Sequence, residues 1–511
     1  VGSGPAGIAI ADRLRGSRLS VILLESGGFN VEVPAQSLYR GEIDGDPYYR
    51  LDACRWRLFG GSSNRWGGWC RPLESADFAR RDWLPNSGWP ISAETLQPFE
   101  YDAAQLFELP NDRFDLASWQ HRLPAGLPFA GTSFQNTVFQ HSPETNFGDT
   151  YRERLLGAEN VTTFLYANLT QILLGKGSQR VDRLEVATLS GRRFTIRPKA
   201  TVLAAGGIEN ARLLLASRQD RPTGLGNEFD RVGRYFMEHL HVPVGHLITA
   251  SGNNHFYRKA IFDDVRLRGV LTPTAAAQEH HRLLATSIAI ENARYSLGTP
   301  FVGWPPAITF GPVRTYRKLR ATRYKEAAEF IKQSAQWVNS LPMKFHTGNL
   351  SRAALAKARE LGHAGRVYSL YFRAEQAPDA ENRIRLSERT DALGVPQSRL
   401  EWRVRPMDAA SITAWFEVLR REVRERSLGV VIGPLENWAQ EATGGPHHMG
   451  TTRMSVNPRD GVVDPDCRVH SVDNLYVAGS SVFVTSGYAN PTFALVTLAL
   501  RLADHLRGRL G

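Results

Sequence analysis

Cysteine, methionine, lysine and long apolar runs are all scarce in this chain, and each scarcity removes a class of protein. Three cysteines, Cys54, Cys70 and Cys467, cannot build a disulfide framework. None stands in a C-x-x-C pair, which excludes a haem attachment or thioredoxin-type motif. The only adjacent histidines are His280–His281 and His447–His448. Neighbouring side chains point apart on a helix or strand, so neither pair is a good chelate and no metal site is expected. No apolar run approaches the roughly 20 residues that span a bilayer, and Phe493 to Leu500 reads as a core helix. No transmembrane segment is expected. Of the 62 basic residues only eight are lysine, and the net charge is +11. The arginine excess runs along the whole chain, which marks a compositional bias more than a binding patch. Its densest stretch, Val313 to Lys332, reads as a solvated surface helix. No nucleic-acid module accompanies the charge, so that partner class is not expected.

What remains is ample for a large enzyme: 511 residues, 42% of them hydrophobic, about two to four domains' worth of chain. The chain opens VGSGPAGIAIADRL, in which Gly2, Gly4 and Gly7 form G-x-G-x-x-G with Pro5 and Ala6 inside it. The first two glycines permit a tight turn and close approach of a pyrophosphate, and the third lets a helix pack on a strand. Val21 to Leu24 reads as a short buried strand ending at Glu25, whose carboxylate can accept from a ribose diol. Together these predict a dinucleotide site. The strand that should precede the glycines is not in the sequence, and there is no initiating Met, so the chain reads as a fragment. No export signal is visible, and cytoplasm is the default expectation.

The C-terminal stretch is the most informative. PHHMGTTRM offers His447 beside a glycine turn; NLYVAGSS is a strand running into Gly479 and Ser480; GYANPTF places Asn490 before Pro491 and Thr492 at the start of a helix. A neutral imidazole can take an alcohol proton, a carboxamide can hold the same oxygen, and a helix N-terminus favours developing negative charge.

With RLFGGSSNRWGGWCRPL, TVLAAGGIENARLLLAS, GNEFDRVGRYFMEH and EQAPDAENRIRLSERTDALGVP between them, these blocks resemble, in order and spacing, the glucose-methanol-choline oxidoreductases. That family oxidises alcohols with FAD. The C-terminal block looks most similar to the bacterial branch holding pyranose oxidases, sugar 3-oxidases and the flavin subunits of membrane sugar dehydrogenases. The resemblance implies that His447 is the base, with His448 the alternative by a one-residue register error. It implies that Asn490 holds the substrate oxygen while hydride passes to the flavin. It also implies that the loop Gly60, Gly61, Ser62, Asn64, Trp66, Gly67 and Gly68 lies on the flavin, with Asn64 near its N5. Where covalent relatives carry a histidine before the Trp, this chain has Arg65, so FAD is expected to be noncovalent. Ala167, Ala205, Gly206, Gly479 and Ser480 complete the expected cofactor contacts, while Arg453 and Glu375 are expected to be ion-paired scaffold.

The expected fold is α/β (α+β overall): a Rossmann-like FAD-binding domain at 1–95, 151–236 and 440–511. A discontinuous substrate-binding cap at 96–150 and 237–439 is built on an antiparallel sheet with helices. Residues 160–174 and 181–196 read as a hairpin-like layer. The runs 367–376, NRIRLSER and SRLEWRVRP read as strands of the cap sheet, and 408–428 reads as a helix. The expected substrate is a sugar, glycoside or polyol, with oxygen or a redox carrier as acceptor and oligomerisation open. A non-sugar alcohol, a non-redox flavin lyase of the same family and a nicotinamide enzyme are the competing readings.

Overall fold

The computed structural model describes the chain except residues 130, 144, 250–254, 263–264, 293–353, 355, 358, 363–366, 434–437 and 439–441. The expected surface helix at Val313 to Lys332 lies outside the described residues. The molecule mixes helices with open sheets, an α/β arrangement. Among the described residues no helix is long and apolar enough to cross a membrane.

The glycine motif folds as its residue types require. Pro5–Leu14 is a helix with Pro at its first position, and Val21–Leu24 is a strand. A Cβ on Gly7 would lie 1.9 Å from the Gly2 carbonyl oxygen, so helix and turn pack only because that position is glycine. Val21–Leu24 pairs in parallel with Val161–Phe164, and Thr201–Leu203 pairs in parallel with Leu475–Val477. The first two residues join these pairs: Gly2 N–H donates to Leu24 O and Ala204 N–H to Val1 O, each at 2.8 Å. The helix Pro491–Leu510 covers this layer, its Asp504 held by Arg13 of the first helix at 2.8 Å.

Residues 160–174 do not form the single hairpin arm that their β-branched run suggests. The chain pairs with the dinucleotide layer through Phe164 and then turns through Tyr166, at a positive φ of 58°. Asn168–Leu174 then begins a separate antiparallel layer with Val181–Ala187 and Arg193–Ile196.

The largest sheet is antiparallel and runs Gly429–Ile432, His239–Thr249, Val367–Glu375, Thr286–Asn292, Val265–Pro273, Phe134–His141 and Trp69–Cys70. Two short strands add to it, Ala260–Phe262 on Val265–Pro273 and Thr443–Gly444 on His239–Thr249. Only the first of the three strand runs expected in the cap sheet joins it. Arg383–Thr390 and Pro396–Trp402 instead form a small sheet with Gly41–Gly45, because the second of them pairs in parallel with that N-terminal strand. The helix expected at 408–428 is present as Pro406–Glu425 and buries Ile412, Trp415, Phe416 and Leu419 against the large sheet.

Strand alternation gives that sheet two unlike faces. Leu240, Val242, Leu370, Phe372, Ile288 and Ile290 are buried and share one face. The other face carries His239, His241, Arg373 and Glu375, which are register partners across two strands. Glu375 is fully buried and bidentate with Arg81, at 2.6 and 2.7 Å. Burial works against its charge, but Arg81 outweighs it and holds the carboxyl below its ordinary pKa. Replacing Arg81 by Met leaves that carboxylate buried and unpaired. The substitution is expected to cost about 3–5 kcal/mol, read as a lowered urea midpoint; a midpoint within error of the parent would show that the pair does not hold sheet and loop together.

Candidate active site

A cavity of about 310 Å³ begins at the glycine turn and ends at the polar face of the large sheet. Gly2, Gly4, Pro5, Ala6 and Glu25 line one end, and Trp69, His447, Asn490, Pro491 and Thr492 line the other. Gly61, Ser62, Trp66, Gly67, Ala167, Ala205, Gly206, Gly479 and Ser480 form wall between them.

The glycines of this region divide into two kinds. At Gly4, Gly206 and Gly479 an added Cβ would meet no protein atom within 4 Å, although all three line the cavity. Packing does not require glycine there: Gly206 and Gly479 take positive φ of 88° and 111°, which favours glycine, and at all three the space a side chain would fill stays open to a ligand. At Gly7, Gly60 and Gly207 an added Cβ would strike neighbouring backbone within 2.4 Å. Gly60 and Gly68 are absent from the cavity wall, and so is Asn64. The Asn64 amide donates to Phe59 O at 2.8 Å and accepts from Gly148 N–H at 3.0 Å, which closes its own loop and spends the groups expected to reach the ring. Arg65 does line the cavity and stacks on Trp56 at 4.2 Å. Glu25 accepts from the N–H and hydroxyl of Ser3 and from Gly27 N–H, which fixes it at the strand's carboxyl end.

Three buried arginines that sequence reasoning passed over stand beside this cavity. Arg55, Arg57 and Arg212 each reach the Glu209 carboxylate at 3.0 Å, and Arg212 also pairs with Asp391 at 2.6 Å. Burial opposes the Glu209 charge, but the three guanidiniums bring its pKa down to about 2. Three cations against two carboxylates leave one positive charge over, in a wall that also carries the open N-terminus of a helix. The long cavity, the unfilled glycine cradle and that surplus charge fit a dinucleotide with a diphosphate at its centre.

At the far end, Glu238 sets the geometry. It is fully buried, and its Oε2 accepts from the N–H groups of Gly445 and His447 at 3.0 and 2.8 Å. Tyr48 O–H donates to its other oxygen. Burial raises its pKa to about 7, against these hydrogen bonds, which favour the charged form. The bridge between Met237 and Met449 closes the same turn. An added Cβ on Gly445 would lie 2.7 Å from His241 Nε2 and 3.0 Å from His447 Nδ1, so glycine there lets both rings approach.

The tautomers follow from the partners. His239 Nε2 faces two carbonyls, Gly487 O at 2.9 Å and Ser486 O at 3.3 Å, and must carry a proton to donate to them. Neutral His239 therefore has a bare Nδ1. That atom lies 2.9 Å from His447 Nδ1, which donates to it. His447 is left with its lone pair on Nε2, 3.2 Å from Asn490 Nδ2 across 43 residues of sequence. Asn490 makes no capping bond to its helix, so its side chain is free for this role. His447 is held neutral: burial pushes its pKa well below 6.5, and neighbouring His239 and His241 would repel a cation. Burial likewise brings His239 to about 4.

His448 turns away from Asn490 and packs against Tyr48 and Phe236, with ring centroids 6.2 and 5.8 Å away. The roles of Glu238 and His239 escape the sequence reading although the block GNEFDRVGRYFMEH ends on them, because no spacing within it reveals either. Arg453 differs from expectation: it donates to Asn86 O at 2.7 Å and stacks on Tyr235, in place of an ion pair.

The chain is similar in sequence and in fold to known proteins. The chain is 26% identical to 2-methyl-1,2-propanediol dehydrogenase of Mycolicibacterium austroafricanum over 65% of its length and 52% of that protein's. It is 26% identical to the fructose dehydrogenase large subunit of Gluconobacter japonicus over 60% of its length and 46% of that protein's. It thus spans about half the length of these curated relatives. A fungal aryl-alcohol oxidase structure shares the fold, with a TM-score of 0.56 at 16% identity over 99% of this chain and 98% of that one. The sequence model described as GMC oxidoreductase matches residues 378–499. That part of the chain, which packs against the site and includes Asn490, belongs to the GMC oxidoreductase family.

Proposed function

We propose that the protein is an FAD-dependent oxidoreductase that oxidises the CH–OH group of a sugar, glycoside or polyol, with His447 as the base. The observation that carries this reading is the hydrogen-bonded series Gly487 O, His239, His447, which leaves one imidazole lone pair on Nε2, accepting from Asn490 Nδ2–H, at the end of a dinucleotide-shaped cavity. The GMC family is FAD-binding, and the named activities of the relatives, on a propanediol and on fructose, support an alcohol or sugar as donor.

Gly2, Gly4, Gly206, Gly479 and the N-terminus of the helix from Pro491 would hold FAD. Bound there, FAD supplies a two-electron acceptor for the hydride leaving the carbinol carbon. The protein does the rest. His447 Nε2 takes the hydroxyl proton, and Asn490 donates to the same oxygen without competing for that proton. His239 fixes the His447 ring and keeps Nδ1 protonated, so that only Nε2 can accept. Enclosure excludes water from the forming carbonyl. The helix N-terminus favours negative charge at its end of the cavity. No histidine stands at position 65 for attachment, and FAD is held noncovalently in this reading.

Three outcomes test it. Replacing His447 by Ala should slow anaerobic flavin bleaching by substrate about 10²- to 10⁴-fold with FAD content unchanged; bleaching at the parent rate would remove His447 from the mechanism. Because burial disfavours the imidazolium, His447 stays a competent base below the ordinary imidazole pKa. The acid limb of kcat/KM should therefore fall well below about pH 6.5, whereas a limb at or above 6.5 would contradict the neutral, enclosed ring. In acid precipitation, yellow flavin should remain in the supernatant; flavin retained in the pellet would mean a covalent link.

A further inference from the structure

The polar face of the large sheet carries a cation that neither the base nor the fold accounts for. Arg373 is the register partner of His241 on the next strand, so both project toward the site. Its guanidinium carbon stands 4.0 Å from the centroid of Trp69, a residue of the cavity wall. Arg268 approaches the same ring at 4.9 Å, but it is already paired with Glu291 at 2.6 Å. Among the described residues Arg373 has no carboxylate partner and no hydrogen-bond acceptor for its guanidinium. Burial, then the Arg268 charge, lowers its pKa to about 10 against the opposing Glu291 carboxylate, so it remains a cation at neutral pH.

Two neutral groups on this face are also unmet. His141 packs on Trp69 with centroids 4.6 Å apart, and its Nδ1–H donates to Gly67 O at 3.3 Å. Its Nε2 is buried without a partner, and so is His241 Nε2. Buried polar groups normally find partners, and the Arg373 guanidinium, half-buried and without a carboxylate, stays open to an anion. The set is one fixed cation, an aromatic wall and ring nitrogens suited to hydroxyl groups. A planar guanidinium matches a carboxylate bidentately, which a neutral polyol cannot reciprocate.

We infer that the substrate of this site is a hydroxylated carboxylate, of the sugar-acid kind, and that Arg373 receives its carboxylate while a hydroxyl meets His447. The inference rests on the alcohol-oxidising reading above and narrows it to an anionic donor.

Binding of D-gluconate, its neutral counterpart sorbitol and the phosphate ester glucose 6-phosphate to the FAD-loaded protein tests it, by anaerobic calorimetry and flavin difference spectra. Gluconate should bind at least tenfold more tightly than sorbitol. Arg373→Gln should erase that margin while leaving sorbitol binding and FAD content unchanged, and Arg373→Lys should keep part of it. Equal or tighter sorbitol binding overturns the inference. So does preference for the phosphate ester, or a gluconate margin that survives in Arg373→Gln. If the variants do not fold, the gluconate-to-sorbitol ratio of the parent protein still decides. The two readings fail separately. Oxidation of neutral alcohols with no preference for the acid removes only the carboxylate site; Arg373-dependent gluconate binding without flavin reduction by any alcohol removes only the oxidation reading.

Discussion

The carboxylate of Glu238, buried and accepting from the backbone of Gly445 and His447, is the constraint on which the site depends. It joins the first residues of the large sheet to the turn that carries His447. Without it, the His447 N–H would lose its acceptor and Gly445 N–H would keep only His239 O, at 3.0 Å, so the turn that carries the imidazole would be held by one bond fewer at each end. Next to Glu238 in sequence, His239 points to the other face of the strand and meets the His447 ring. One dipeptide therefore both anchors the base and selects its tautomer. Alternation along a strand does this economically, because successive side chains address opposite sides.

The same alternation explains why the large sheet can be a core and an active-site wall at once. Its apolar face is sealed by the helix Pro406–Glu425, which leaves its other face free to hold polar groups. On that face two charges are matched, Glu375 by Arg81 and Arg268 by Glu291. The dinucleotide layer solves a different problem. There the backbone itself must come close to a ligand, and glycines at Gly4, Gly206 and Gly479 leave the space, while Gly7 is small because a helix crosses a turn.

The parts legible in the sequence are those governed by local rules. G-x-G-x-x-G with Pro5 announces a strand, a turn and a helix, and Asn490–Pro491 announces a helix start; both elements are where the residues place them. The cavity does gather most residues expected at the cofactor, but Asn64 turns inward. Its partners, Phe59 and Gly148, lie on backbone far apart in sequence, and no pattern in GGSSNRWGG reveals which way an amide will face. The parallel pairing of Pro396–Trp402 with Gly41–Gly45 was illegible for the same reason: alternation marks a strand, not its neighbour. His239 and Arg373 are single residues in ordinary strand sequence. Their meaning arises only when the large sheet brings them beside His447 and Trp69.

The central claim is that His447 is a neutral base whose lone pair is on Nε2 because its Nδ1–H is held by a hydrogen bond to His239 Nδ1. Nitrogen-15 NMR of histidine-labelled protein at neutral pH, with the two rings assigned through single-histidine variants, reads that state directly. The account predicts His447 neutral and protonated on Nδ1, with His239 neutral and protonated on Nε2. A cationic His447, or one protonated on Nε2, would contradict it.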